Sequence, residues 1–177
     1  MSFRLDRWAK PVQHWDMTRN LRLPPGRTLF CLDVENLHGN PFFCSSQAEA
    51  IVDAVRALVP AEGGAHVVVA ASSAGGCVEA GIACPAARCT WEPGTDGADR
   101  ALLEILRSES IAERFAHVVI GSGDGVFAEI VRALRMSGVL VTVVSRRGSL
   151  STKLAQTANR VLFLPTDESN EDGGTAA

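Results

Sequence analysis

"FAHVVIGSGDGVFAEIVRALRMSGVLVTVVS", residues 115–145, decides the fold. An unbroken apolar run ends in glycines interleaved with Ser122 and Asp124. Apolar residues at helical spacing follow as far as Gly138, and a β-branched run closes the stretch at Ser145. Strand, loop, helix and strand in that order make a βαβ unit. Strands that are apolar at nearly every position belong to a parallel sheet covered on both faces.

The same alternation extends in both directions. "LPPG" (23–26) precedes a first strand, "TLFCLDV" (28–34). "NLHGNPF" (36–42) reads as a loop. Ser46 and Glu49 form a capping-box pattern at the start of the helix "QAEAIVDAVRALV" (47–59). "AHVVVAAS" (65–72) is a second strand, followed by a Gly/Cys-rich loop and a short third strand, "ARCTWE" (87–92). "PGTDGADRALLEILRSE" (93–109) is a turn and a helix; residues 115–122 and 139–145 are the fourth and fifth strands. "SLSTKLAQTAN" (149–159) is a helix and "RVLFLP" (160–165) a last strand. The expected architecture is α/β: a three-layer α/β/α sandwich around a central, mostly parallel sheet. One domain is expected over 28–165, with an N-terminal arm over 1–27 and a tail over 166–177.

The 177 residues fit one such domain, and 46% hydrophobic with 21% charged residues is ordinary for a folded soluble protein. No apolar run reaches the roughly 18 residues of a membrane span, and the N-terminus lacks an apolar signal core, so a cytoplasmic protein without a membrane partner is expected. The five cysteines, Cys31, Cys44, Cys77, Cys84 and Cys89, show no metal spacing and read as reduced thiols. Net charge is −3, but residues 1–27 carry six Arg/Lys against two Asp. With Trp8 and Trp15 among them, this arm suits either nucleic-acid contact or an ordinary loose terminus. The tail carries four acids and no base, a composition that favours disorder.

In parallel sheets, function gathers beyond the carboxyl ends of the strands, at the switch in strand order. Here three strand ends each deliver an acid: Asp33 after the first, Asp96 and Asp99 after the third, Asp124 after the fourth. Asp96 and Asp124 also suit helix caps, and Asp99 suits the helix dipole. Asp33, closing an apolar strand, is costly to bury without a partner. Carboxylates converging from several strands repel one another unless a hard cation such as Mg²⁺ or Mn²⁺ joins them. That arrangement supports phosphodiester hydrolysis without a Ser, Cys or His nucleophile. Of the histidines, 14, 38, 66 and 117, only His38 is near these acids, and it reads as an ordinary loop residue. "GSGDGVF" (121–127) is not a dinucleotide loop, because Val126 occupies the position that needs a small residue, and no P-loop pattern occurs.

"LDVENL", "GADRALLEIL" and the stretch from Val118 to Leu164 resemble the NYN domain, a branch of the PIN-like nuclease superfamily. The resemblance spans about residues 28–164 and rests on the D-x-x-N of Asp33 and Asn36, the G-A-D-x-A-L opening a helix, and the S-G-D-x-x-F of Ser122 to Phe127. It implies a sheet ordered 3-2-1-4-5 and metal-dependent cleavage of RNA. It further implies Asp33, Asp99 and Asp124 as metal ligands, direct or through water, and Asn36 and Ser122 as groups positioning phosphate or metal water. Val126 stands where the family often has a further acid, and Glu104 lies about 140° around the helix from Asp99. Glu35 and Asp96 are the auxiliary acids left. Arg146, Arg147 and Lys153, after the fifth strand, are candidates to hold the RNA backbone or are simply a solvated loop. RNA is the expected partner, with a second copy or a recruiting protein left open. A non-catalytic RNA- or nucleotide-binding module and a small-phosphoester metal hydrolase are the alternatives.

Overall fold

The computed structural model describes residues 26–61 and 64–165. The segments 1–25, with Trp8 and Trp15, and 166–177 lie outside the described residues. The elements in chain order are β1 (Thr28–Asp33), α1 (Val34–His38), α2 (Ser45–Leu58), β2 (Ala65–Ala71), α3 (Ala74–Ala83), β3 (Arg88–Trp91), α4 (Gly97–Ser108) and α5 (Ile111–Arg114). Then come β4 (His117–Gly121), a 3-10 turn (Gly125–Phe127), α6 (Ala128–Met136), β5 (Leu140–Ser145), α7 (Thr152–Thr157) and β6 (Arg160–Phe163).

All pairings are parallel, and the order is β3-β2-β1-β4-β5-β6. The expected order holds, with the last strand added beyond β5. β1 and β4 are central and buried at every position, which is why their sequences are apolar without alternation. Side chains still alternate between the two faces. Leu29, Cys31, Val118 and Ile120 meet Leu102, Ile105, Val131 and Leu154 of α4, α6 and α7. Phe30, Leu32, Val67 and Val69 meet Val52, Val55 and Ala80 of α2 and α3. The sheet lies between these two helical layers.

Four local expectations change. The Gly/Cys-rich segment is the helix α3, held by Ser73, whose Oγ accepts from Gly76 N, and by the burial of Ala80. Part of "NLHGNPF" is helical: Asp33 caps α1 and Gly39, at φ 86, ends it. The start of α2 is set by Cys44 rather than Ser46, since Gln47 Oε1 accepts from Cys44 N at 2.9 Å. Arg27, assigned to the arm, belongs to the folded body: its carbonyl accepts from Ala116 N and its guanidinium lies over Phe115. Among the described residues no helix is long and apolar enough to cross a membrane.

Candidate active site

Strand order reverses between β1 and β4, so their carboxyl ends open a crevice. Asp33 is the last residue of β1 and shares the face of Leu29 and Cys31, toward α4. Asp99 lies in the first turn of α4 and meets it there. Both are buried, at 5% and 6% exposure, and lie close enough to share a proton. Asp33 Oδ1 accepts from Asn36 N at 2.9 Å. Asp99 Oδ1 has no partner. An orphaned, buried carboxylate oxygen is expensive, and here the charges of Asp33 and Asp124 bear on the same side chain.

The electrostatics follow from that packing. Burial raises Asp33 to about 6, offset in part by the amide of Asn36. Burial first, then the charges of Asp33 and Asp124, raise Asp99 to about 8. Without a cation the pair therefore retains a proton at neutral pH. Asp124, half-exposed at the end of the β4 loop, acts on Asp99 through charge, as does the exposed Asp96. Asp124 Oδ1 also caps the 3-10 turn by accepting from Val126 N. Among the described residues no three His, Cys, Asp or Glu close on one ion position. The tight element is the Asp33–Asp99 pair, with Asp124 at longer range.

Asn36 holds the crevice together. Its Oδ1 accepts from Gly123 N at 2.9 Å, tying the end of β1 to the loop after β4. A Cβ on Gly123 would lie 2.3 Å from the Ser149 carbonyl oxygen, so only glycine lets this loop settle against the β5–α7 loop. Ser122 is fully buried and its Oγ accepts from Asp124 N. Phe127, also fully buried, anchors the far side of the loop. The residues of the S-G-D-x-x-F motif thus fix the height and direction of Asp124.

The remaining candidates separate by their contacts. Glu35 Oε1 accepts from Ser72 N at 2.7 Å, so this acid is engaged in anchoring the loop after β2. Asp96 occupies the cap position of α4 in a left-handed conformation, φ 58, and makes no capping hydrogen bond. Its expected role as a side-chain cap is not met. Arg146 donates from Nε to Asn36 O at 2.9 Å and lies against Gly39, so it braces α1 beside the crevice. Sequence reasoning missed this positioning role and that of Glu35. Arg147 is exposed and stacks on Phe163 of β6, away from the acids. Lys153 is exposed in the first turn of α7.

A cavity of about 360 Å³ lies at the opposite, amino edge of the strands, lined by Leu29, His66, Val68, Arg88, Glu109 and Phe115, among others. None of the crevice acids lines it. Its cations Arg88 and Arg114 are already paired with Glu109.

No curated protein matches the chain. A solved structure of a protein of unknown function from Vibrio parahaemolyticus aligns with 80% of this chain and 94% of its own, at 15% identity and a TM-score of 0.53. That likeness concerns the fold alone. The segment from the turn before α4 through β6 contains Asp99 and Asp124, while Asp33 and Asn36 precede it. These residues, 93–165, match the family model of the NYN domain, the family that the sequence motifs resemble.

Proposed function

We propose that the protein is a metal-dependent ribonuclease whose crevice acids hold Mg²⁺ or Mn²⁺. The observation that carries this reading is the buried Asp33–Asp99 pair with its unpartnered Asp99 Oδ1. Two buried carboxylates with a free oxygen, facing a third acid, fit an oxygen-coordinated hard cation. Asp33 and Asp99 would hold it directly and Asp124 through water. Bound there, a divalent cation offsets the charge of a phosphodiester and makes water more acidic.

The chain's own groups do the rest. Asn36, spent on Gly123 through Oδ1, leaves its amide nitrogen for a phosphate oxygen or a water. Asp124, more exposed than the pair, suits the role of base toward an attacking water. Lys153 and the guanidinium of Arg146 supply positive charge on the β5 side for the backbone of a polymer. The crevice lies on an open sheet edge, which suits a chain passing through better than an enclosed small phosphoester.

The test is cleavage of total RNA by the purified chain in Mn²⁺, in EDTA, and with Asp33→Asn. The reading expects cleavage only by the wild type with metal. Cleavage that survives EDTA or the substitution would overturn the metal mechanism. Retention of RNA without turnover by the wild type would replace it with a binding module.

A further inference from the structure

Three of the five cysteines gather where α3 packs on β3, on the side of the sheet away from Asp33 and Asp99. β3 is an edge strand, and its Cys89 packs on the α2–α3 side. There it meets Gly81 of α3. A Cβ on Gly81 would lie 3.7 Å from Cys89 Sγ, so the bare glycine leaves the sulfur room against the helix. Cys77 stands one turn earlier on the same helix face, and its thiol is hydrogen-bonded to that of Cys89. Both residues are half-buried, within reach of a small reagent. Cys84, at the end of α3, is buried, and its Sγ accepts from Arg56 Nη2 at 3.9 Å. The helix sets it about 10 Å along the axis from Cys77, beyond the roughly 7 Å that a disulfide spans between Cα atoms. Cys31 is buried in the opposite layer, where burial pushes its thiol up to about 12, and Cys44 is exposed at the start of α2. Cys77 and Cys89 are therefore the pair that the fold brings together.

We infer that Cys77 and Cys89 are a reversible redox pair, which a peroxide closes into a disulfide stapling α3 to β3. This stands apart from the ribonuclease reading and needs no metal. Burial first, then the sulfurs of Cys77 and Cys84, hold Cys89 above the usual thiol range, so Cys89 keeps its proton and donates toward Cys77. The Cys77 sulfur, as thiolate, attacks one peroxide oxygen; the O–O bond breaks and hydroxide leaves, taking up a proton as water. The Cys89 sulfur then displaces hydroxide from the Cys77 sulfenic acid. The S–S bond forms, and the Cys89 proton leaves with that hydroxide as a second water. Two thiols are oxidised and one peroxide is reduced, with no other co-reactant. A small thiol reverses the step by exchange. The staple joins two segments that lead to the crevice. α3 begins just after Ser72, which Glu35 holds, and β3 runs into the turn before Asp99.

The test treats the reduced full chain with a small excess of hydrogen peroxide, blocks the remaining thiols with iodoacetamide, and maps the product by mass spectrometry. Cleavage after Glu79 and after Arg88 separates the three thiols, so each possible link gives a different peptide pair. The expected product has lost two hydrogens and carries the Cys77–Cys89 link, and dithiothreitol restores the starting mass. Closing a loop of about 13 residues should raise the unfolding midpoint by about 6–12 °C. Cys77→Ser and Cys89→Ser should each abolish the link and the shift, while Cys84→Ala keeps both; circular dichroism confirms that each variant folds. The peptide map of the wild type decides the matter without the variants. A link through Cys84 or Cys44 in its place, oxidation of Cys77 to sulfinic acid with no link, or a Cys77–Cys89 link that forms only in urea would each overturn the inference.

Discussion

Replacing Asp99 with asparagine should make the protein more stable while removing its metal chemistry. Asp99 is buried with an orphaned oxygen and is raised from 3.8 to about 8. An acid whose pKa is higher in the folded state weighs against folding once the unfolded chain ionises. Below 3.8 the group is protonated in both states and costs nothing. As pH rises from there, the unfolded chain sheds a proton that the folded chain keeps, and stability falls until about pH 8. At about pH 7.5 most of that window has been crossed, an upper bound of about 5 kcal/mol at about 1.4 kcal/mol per unit. Solvent at the sheet edge and an effective dielectric near 20 reduce it to about 2–3 kcal/mol. The amide of Asp99→Asn removes the ionisation and gives Asp33 a donor. At about 2–4 °C per kcal/mol for this chain length, the unfolding midpoint should rise by about 4–12 °C. Thermal denaturation followed by circular dichroism, without divalent cation, reads this directly. The gain should shrink toward zero near pH 4, and added Mn²⁺ should narrow or reverse it by stabilising only the wild type. A variant no more stable than wild type at neutral pH, or a gain independent of pH, would refute the reasoning.

Asn36→Ala removes the acceptor for Gly123 N and should cost about 1–2 kcal/mol in urea denaturation. Its loss of RNA cleavage should exceed tenfold, because the Asp124 loop is released. Gly39→Val places a side chain at φ 86 against the Arg146 guanidinium and should cost about 1–3 kcal/mol. A double-mutant cycle with Arg146→Ala should recover the steric part of that loss. His117 is buried beside Thr142 and burial lowers it to about 4, so it favours folding above 6.5 and loses that contribution as pH falls. His117→Gln should therefore lessen the stability lost between about pH 7 and pH 5 by about 1–2 kcal/mol, measured by urea denaturation at both values.

The alternation of strands and helices was readable because β1 and β4 are buried on both faces, and such strands declare themselves as apolar runs. The acids were readable for a related reason: a charge directly after such a run stands at a strand end. The helix α3 was not readable, since Gly75, Gly76 and Gly81 mimic a loop and the helix depends on tertiary burial of Ala80 and a serine cap. Nor were the braces of the site. Asn36 meets Gly123 across 87 residues and Arg146 meets Asn36 across 110, and no local pattern encodes such pairings. Asp96 looked like a side-chain cap by composition, but the turn closed by Gly97 N on Gly94 O leaves it left-handed and exposed.

The most direct measurement is calorimetric titration of Mn²⁺ into the full chain near neutral pH, in two buffers of different ionisation enthalpy. The account predicts binding by the wild type with release of about one proton, the one shared by Asp33 and Asp99. It predicts loss of that binding in Asp33→Asn and Asp99→Asn, and weakening in Asp124→Asn. Binding that is absent from the wild type, or that persists unchanged in Asp33→Asn and Asp99→Asn, would contradict it.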